Sequence, residues 1–300
     1  MSKIHQILSI FLIVLLCICF SVPPSTSIAL PSHTLIQNVG NTIQKAPLLT
    51  TFNLSRTYWM VLIGIGNYPG SSNDLPFSLN ELESFKTTLI NGGKIEESHI
   101  RTITDEMANK SAVIHAIQWL ATNADSNDVV IFYYIGHGGH NATNESLILY
   151  DTVLLDGELN TYIDAIHARN IIIILDCCYS GGFIKELAHF GRIIITACDK
   201  DETTYQLYDL HSGIFGYFFN YSVEHLTKTP EMTFVLTWFF VQKYTESLNE
   251  QSGKNYSIHP QFYDGCFRRI TFVDQHSPRV GTFIFSQMYS NLKNMKKFVQ

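Results

Sequence analysis

A chain of 300 residues with 46% hydrophobic and 15% charged side chains is long enough for one large or two small domains and apolar enough to bury a core, which excludes a disordered polymer. The formal net charge is −6. Basic residues gather only at Arg268-Arg269 and at Lys293, Lys296 and Lys297, with no aromatic residues interleaved, so nucleic acid is not an expected partner.

The chain opens with Lys3, an almost unbroken apolar run from Ile7 to Phe20, and then Pro23, Pro24 and small residues. This pattern predicts a secretory signal over residues 1–29, cleaved near Ser27 or Ala29, and a secreted or extracytoplasmic location. The apolar run is about 14 residues against the ~20 of a membrane helix, so membrane attachment is expected only if the segment stays uncleaved. Six N-x-S/T triplets, at Asn53, Asn109, Asn141, Asn144, Asn220 and Asn255, accord with export. Residues 30–56 are polar and without period, a linker or N-terminal extension; residues 57–275 read as one domain, and 276–300 as a C-terminal extension.

Within the domain, short apolar runs alternate with helical spacing. Tyr58 to Ile65 reads as a buried strand ended by Gly66-Asn67-Tyr68-Pro69-Gly70. Leu79, Leu82, Phe85 and Leu89 predict a helix over 79–90, stopped by Asn91-Gly92-Gly93. A strand over 99–104 precedes a helix over 110–121 with Asn109 as its cap. Asp128 to Ile135 is a continuous apolar strand, 157–169 a helix, Ile171 to Leu175 the most apolar strand, and 192–197 another. Continuous β-branched runs separated by helices predict a mostly parallel sheet covered on both faces, a three-layer α/β/α fold.

Two loops concentrate chemistry. Gly136-His137-Gly138-Gly139-His140 follows one buried strand, and Asp176-Cys177-Cys178-Tyr179-Ser180-Gly181-Gly182 follows the other. Ligands of parallel α/β sheets sit at the carboxyl ends of strands, so a His and a Cys are expected to meet across one crevice. An imidazole activates a thiol, and the thiolate is the attacking species. The glycines admit a substrate backbone and free amide N–H groups to hold an oxyanion. Of the cysteines beyond the signal, Cys177 follows its strand directly and is expected to face the core, and Cys198 to pack at a strand end. A Cys198–Cys266 disulfide stays open. No metal-ligand spacing is present.

Tyr134-Ile135-Gly136-His137-Gly138 resembles the Y-S-G-H-G loop of metacaspases and bacterial or archaeal caspase homologues, and Leu175-Asp176-Cys177-Cys178-Tyr179-Ser180-Gly181-Gly182 resembles their D-x-C-x-S-G loop. Val61 to Ile65, Thr196 to Thr203, Gly213-Ile214-Phe215 and His259-Pro260-Gln261 are similar to further family segments. The resemblance implies a caspase-like fold and a cysteine endopeptidase acting on peptides or proteins, with Cys178 as nucleophile and His137 as base. It implies an oxyanion hole from the amides of Gly138 and Cys178, and no redox cofactor; calcium activation and oligomeric state stay open. It also implies that Asp176 lines the pocket for the residue before the scissile bond (P1), with a second acid from Asp199, Asp201 or Glu202, Asp199 being nearest the strand, and hence a basic P1 residue. Tyr179 stands where metacaspases usually carry His, and no Q-A-C-R-G is present. A legumain-like peptidase preferring Asn, whose nucleophile loop usually begins E-A-C, and an idle caspase-like binding module are the alternatives.

Overall fold

In the computed structural model the described residues are 56–267 and 269–274. The expected signal, most of the linker and the C-terminal extension lie outside them. The first strand, β1 (Tyr58–Gly64), is buried and leads through a long loop to helix α1 (Ser78–Asn91). Strand β2 (Ile100–Thr104) follows, then α2 (Lys110–Asn123), whose first turn is capped by the Asn109 side chain accepting the Ala112 N–H at 2.9 Å. Strand β3 (Val129–Ile135) is buried throughout and runs into a hairpin of β4 (Gly138–His140), β5 (Glu145–Ile148) and β6 (Val153–Leu155). Helix α3 (Asp156–Asp164) precedes β7 (Asn170–Asp176). It is shorter than the spacing predicts, because the chain turns at Ala165 and sends Ile166 and Ala168 into the core on the way to the sheet.

A single turn, α4 (Ile184–Leu187), leads to β8 (Arg192–Thr196), and a small ribbon of β9 (Gln206–Leu207) and β10 (Ser212–Gly213) to α5 (Ile214–His225). Helix α6 (Pro230–Ser252) carries Pro at its first turn, the Thr229 side chain as cap and Gly253 at φ 66 as its stop. Strand β11 (Gln261–Asp264) closes the fold.

The main sheet has the order β11-β8-β7-β3-β1-β2, parallel except for β11, which runs antiparallel to β8. Residues alternate between faces. Ile171, Ile173, Leu175 and Cys177 join the core beneath α2 and α3, whereas Ile172 and Ile174 join the one beneath α1 and α5. Helix α6 packs outside α5 over Phe218, Phe240 and Tyr244. This is the predicted three-layer α/β/α architecture with a mostly parallel sheet.

Two sequence expectations resolve at this level. Cys198 and Cys266 are both free thiols. Cys198 follows the carboxyl end of β8, while antiparallel pairing of Asp264 with Ile193 carries Cys266 to the opposite end of the sheet, out of reach of a disulfide. Of the triplet asparagines, Asn220 is buried in α5 and donates its side-chain N–H to the Glu81 carbonyl at 2.9 Å, whereas Asn141 and Asn255 are exposed. Among the described residues no helix is long and apolar enough to cross a membrane.

Candidate active site

Strands β3 and β7 are neighbours, with Ile135 opposite Asp176. His137 and Cys178 each lie two residues farther on, so they leave adjacent strand ends at the same level. The Gly136 N–H donates to the Asp176 carbonyl at 3.3 Å. Gly138 then packs so closely that a Cβ there would overlap the Cys178 carbonyl and stand 3.0 Å from Cys177 Sγ, so only glycine lets the two loops meet.

Hydroxyls hold the His137 loop. The Tyr68 hydroxyl accepts the His137 N–H at 2.8 Å, and the Tyr134 hydroxyl lies 2.8 Å from the His137 carbonyl and 2.7 Å from that of Ile148. Burial pushes the Tyr68 hydroxyl up to about 12 and that of Tyr134 well above its ordinary value, so both keep their protons. The imidazole lies beside the Tyr68 ring with centroids 4.7 Å apart, and Nε2 is 2.7 Å from the Asn73 carbonyl. A carbonyl only accepts, so Nε2 carries the hydrogen and Nδ1 is left as the acceptor. Asn73 is placed by its loop: Asp105 Oδ1 accepts the N–H groups of Gly66 and Asn67 at 2.8 and 2.9 Å, and Asp74 Oδ1 that of Tyr68 at 3.1 Å.

Serine and backbone pin the Cys178 loop. Ser180 Oγ accepts the N–H groups of Ala197 and Cys198 at 3.1 and 3.3 Å, tying the loop to the end of β8. Cys177 is fully buried, and burial holds its thiol well above the ordinary value. Cys178 is half-buried; its Sγ lies 3.8 Å from the Thr204 carbonyl, to which it donates, and burial raises its pKa as well. Tyr179 takes the left-handed conformation, φ 60, and donates its N–H to the Glu202 carbonyl at 2.8 Å. Its ring stacks on exposed His140 at 4.0 Å.

Asp176 points to the opposite face from Cys177, where it is 5% exposed with Oδ2 unpartnered. Glu81 of α1, 3% exposed, lies close by. Its Oε1 accepts the Gly213 N–H at 2.7 Å, and its Oε2 is unpartnered, as is the buried Tyr133 hydroxyl. Both free carboxylate oxygens converge on Gly216: a Cβ there would overlap Glu81 Oε2 and lie 2.9 Å from Asp176 Oδ2. Burial raises the pKa of both acids, that of Asp176 from 3.8 to about 7, and Asp176 raises Glu81 further. Asp199, expected as the second acid, is half-buried in the loop after β8. Its Oδ1 accepts the Lys200 N–H at 2.7 Å within its own turn, and the acid brought to Asp176 is Glu81. Glu81 is hard to read from the sequence because an acid on a helix ordinarily faces water, as Glu83 does. Its one signal is position, one residue before core Leu82. Among the described residues no group of three or more His, Cys, Asp or Glu is arranged to hold a metal ion.

The family model of the caspase domain matches residues 57–264. Metacaspase-1 of Scheffersomyces stipitis is 31% identical over 120 residues, 38% of this chain and 28% of that protein. Metacaspase-1 of Schizosaccharomyces pombe is 29% identical over 181 residues, 57% of this chain and 38% of that protein. This chain thus spans well under half the length of these relatives. In fold it is similar to the crystal structure of protein GSU0716 from Geobacter sulfurreducens, with a TM-score of 0.51 and 12% identity, covering 73% of this chain and 97% of that one.

Proposed function

From the premise that the chain belongs to the caspase family, we propose that it is a cysteine endopeptidase in which Cys178 attacks and His137 is the base. The observation that carries this reading is the meeting of the two loops at adjacent strand ends in register, with Gly138 against the Cys178 backbone. The Nε2–H of His137 is committed to Asn73, which leaves Nδ1 to take the thiol proton. The thiolate adds to the scissile carbonyl, and the oxyanion is held by the amides of Gly138 and Cys178. The imidazolium returns its proton to the leaving amine as the acyl-thioester forms, and water then releases the acid. At rest the Cys178 thiol is raised by burial and donates to Thr204, so substrate binding has to free it before attack.

The same reading gives a basic P1 residue. Unpartnered buried oxygens on Glu81, Asp176 and Tyr133 leave desolvated acceptors facing one another beneath the nucleophile loop. A Lys or Arg side chain supplies the missing donors and the compensating charge. An Asn-selective site would set neutral partners there. Peptides identical except for Arg, Lys, Asn or Asp at P1 test the proposal: Arg and Lys are expected fastest, and faster turnover of Asn or Asp overturns the basic pocket.

Export is proposed from the N-terminal pattern alone. Mass spectrometry of the native protein is expected to find a mature start near residue 28 or 30; an intact Met1 or Ser2 start overturns cleavage.

A further inference from the structure

Of the three acids in the loop from Asp199 to Thr204, Glu202 is the one tied to a distant part of the chain. The Glu202 side chain is 14% exposed and gathers donors from two parts of the chain. Its Oε2 accepts the backbone N–H groups of Asp199 at 3.2 Å and His259 at 2.7 Å. Its Oε1 accepts the Ser257 hydroxyl and His259 Nδ1, each at 2.6 Å. Burial alone would raise this carboxyl, but the hydrogen bonds from Ser257 and His259 outweigh it and hold the group below the usual carboxylate range. The main chain of the same residue faces the site. The Glu202 carbonyl accepts the Tyr179 N–H at 2.8 Å and the Cys198 thiol at 3.3 Å. Two residues on, the Thr204 carbonyl receives the Cys178 thiol.

We propose that Glu202 is a positioning residue for the nucleophile: anchored through its side chain to the segment Ser257–His259 before β11, it sets through its own carbonyl and that of Thr204 where Cys178 and its amide stand. This rests on the cysteine-peptidase reading. A carboxylate with four donors is fixed in place, whereas a loop carbonyl held only by its neighbours drifts. A nucleophile displaced by about an ångström loses on the order of a hundredfold in rate, without substrate binding being touched. The tie joins elements far apart in sequence, the loop after β8 and the approach to the edge strand, so the geometry of the catalytic thiol depends on the docking of the last strand.

The test uses the full chain with Glu202→Ala, Glu202→Gln, and Ser257→Ala combined with His259→Ala. In each, kcat and KM are measured on the best peptide, and iodoacetamide modification of Cys178 is followed by peptide mapping, with half-buried Cys266 as an internal reference. Glu202→Ala is expected to lower kcat by about tenfold to a hundredfold with KM within about threefold. It should speed Cys178 alkylation at least about threefold, because a released thiol is more accessible, while Cys266 is unchanged. Glu202→Gln, which keeps an acceptor, is expected to recover part of both effects. If Glu202→Ala does not fold, the double variant carries the test, since it keeps the carboxylate and its backbone donors; the same changes in smaller measure are expected. A folded variant with unchanged kcat and unchanged Cys178 alkylation overturns the proposal, as does equal acceleration at Cys266, which would mark general loosening. If the wild type cleaves no peptide, the peptidase reading fails, and the alkylation ratio still decides whether Glu202 places Cys178.

Discussion

Beneath the two loops lie two buried polar regions at similar depth, and they are built in opposite ways. Under His137, the hydroxyls of Tyr68 and Tyr134 are spent on the carbonyls and N–H of the loop itself. Under Cys178, the acids Glu81 and Asp176 each leave an oxygen without a partner, and the Tyr133 hydroxyl between the helices is also alone. A satisfied network rigidifies what it touches, whereas unsatisfied buried acids hold a desolvation cost that a cation relieves. The first region is a satisfied network, and the second holds the unpartnered oxygens on which the proposed P1 pocket rests. Adjacent residues divide the same way: Cys177 points to the tyrosine side and Asp176 to the acid side of one strand end.

The sharpest way to break this comparison is to remove one thiol at a time. Cys178→Ala is expected to cut peptide hydrolysis by on the order of 10⁴-fold or more, and His137→Ala comparably, since base and nucleophile act as a unit and their losses do not add. Cys177→Ala should retain most activity. Steady-state assays on folded variants decide it, and equal loss in the two cysteine variants would erase the distinction between the faces.

Next in size is the acid pair. Asp176→Asn or Glu81→Gln should lower kcat/KM for Arg and Lys peptides by about a hundredfold, the scale of a desolvated charge pair losing one partner. Stability at neutral pH should not fall, because the amide replaces a carboxyl that burial already holds largely protonated. Asp176→Asn with full Arg preference would return the pocket to the structural class of its neighbour. A smaller effect is expected on the tyrosine side. Tyr134→Phe removes the one hydroxyl hydrogen shared between the His137 and Ile148 carbonyls, the second of which keeps the Tyr68 hydroxyl at 3.1 Å, and should cost about 1–3 kcal/mol in denaturant unfolding, with P1 preference unchanged.

A separate effect is expected in pH dependence. Burial raises the Asp176 carboxyl from 3.8 to about 7 in the folded protein. Between those values the folded state keeps a proton that the unfolded chain has lost. This group's contribution is therefore full below 3.8 and is lost as pH rises through about 7. Glu81, raised by burial and by Asp176, acts in the same sense. Urea unfolding across this window should show wild-type stability declining more steeply than that of Asp176→Asn. Cleavage after basic residues should rise as pH passes through about 7, where the Asp176 carboxyl of the folded protein gains its charge.

Local pattern made much of the fold legible. The continuous runs at Tyr58, Val129, Ile171 and Arg192 are strands because β-branched residues bury on both faces of a parallel sheet, and Asn109 marks a helix start because its side chain can take an orphan N–H. Helix α6 had readable ends as well, Thr229-Pro230 at its start and Gly253 at its close, but its buried face carries Thr233, Thr237 and Thr245 while apolar Val235 is exposed, so no clean period shows. The positions of His137 and Cys178 after their strands were likewise legible, as was the inward turn of Cys177, which follows from the alternation of side chains along a strand.

What tertiary structure alone decided are the pairings between distant segments. Only the packing of α1 against α5 puts Glu81 beside Asp176, while Asp199 turns back on its own loop. Only the loop over β3 brings the Asn73 carbonyl to His137, and only the antiparallel entry of β11 brings Ser257 and His259 to Glu202 and carries Cys266 away from Cys198. Periodicity and capping act between residues a few positions apart and so are written locally. The partner of a buried charge is chosen by which helix and strand ends the closed core brings together, a choice that exists only once the apolar faces have packed.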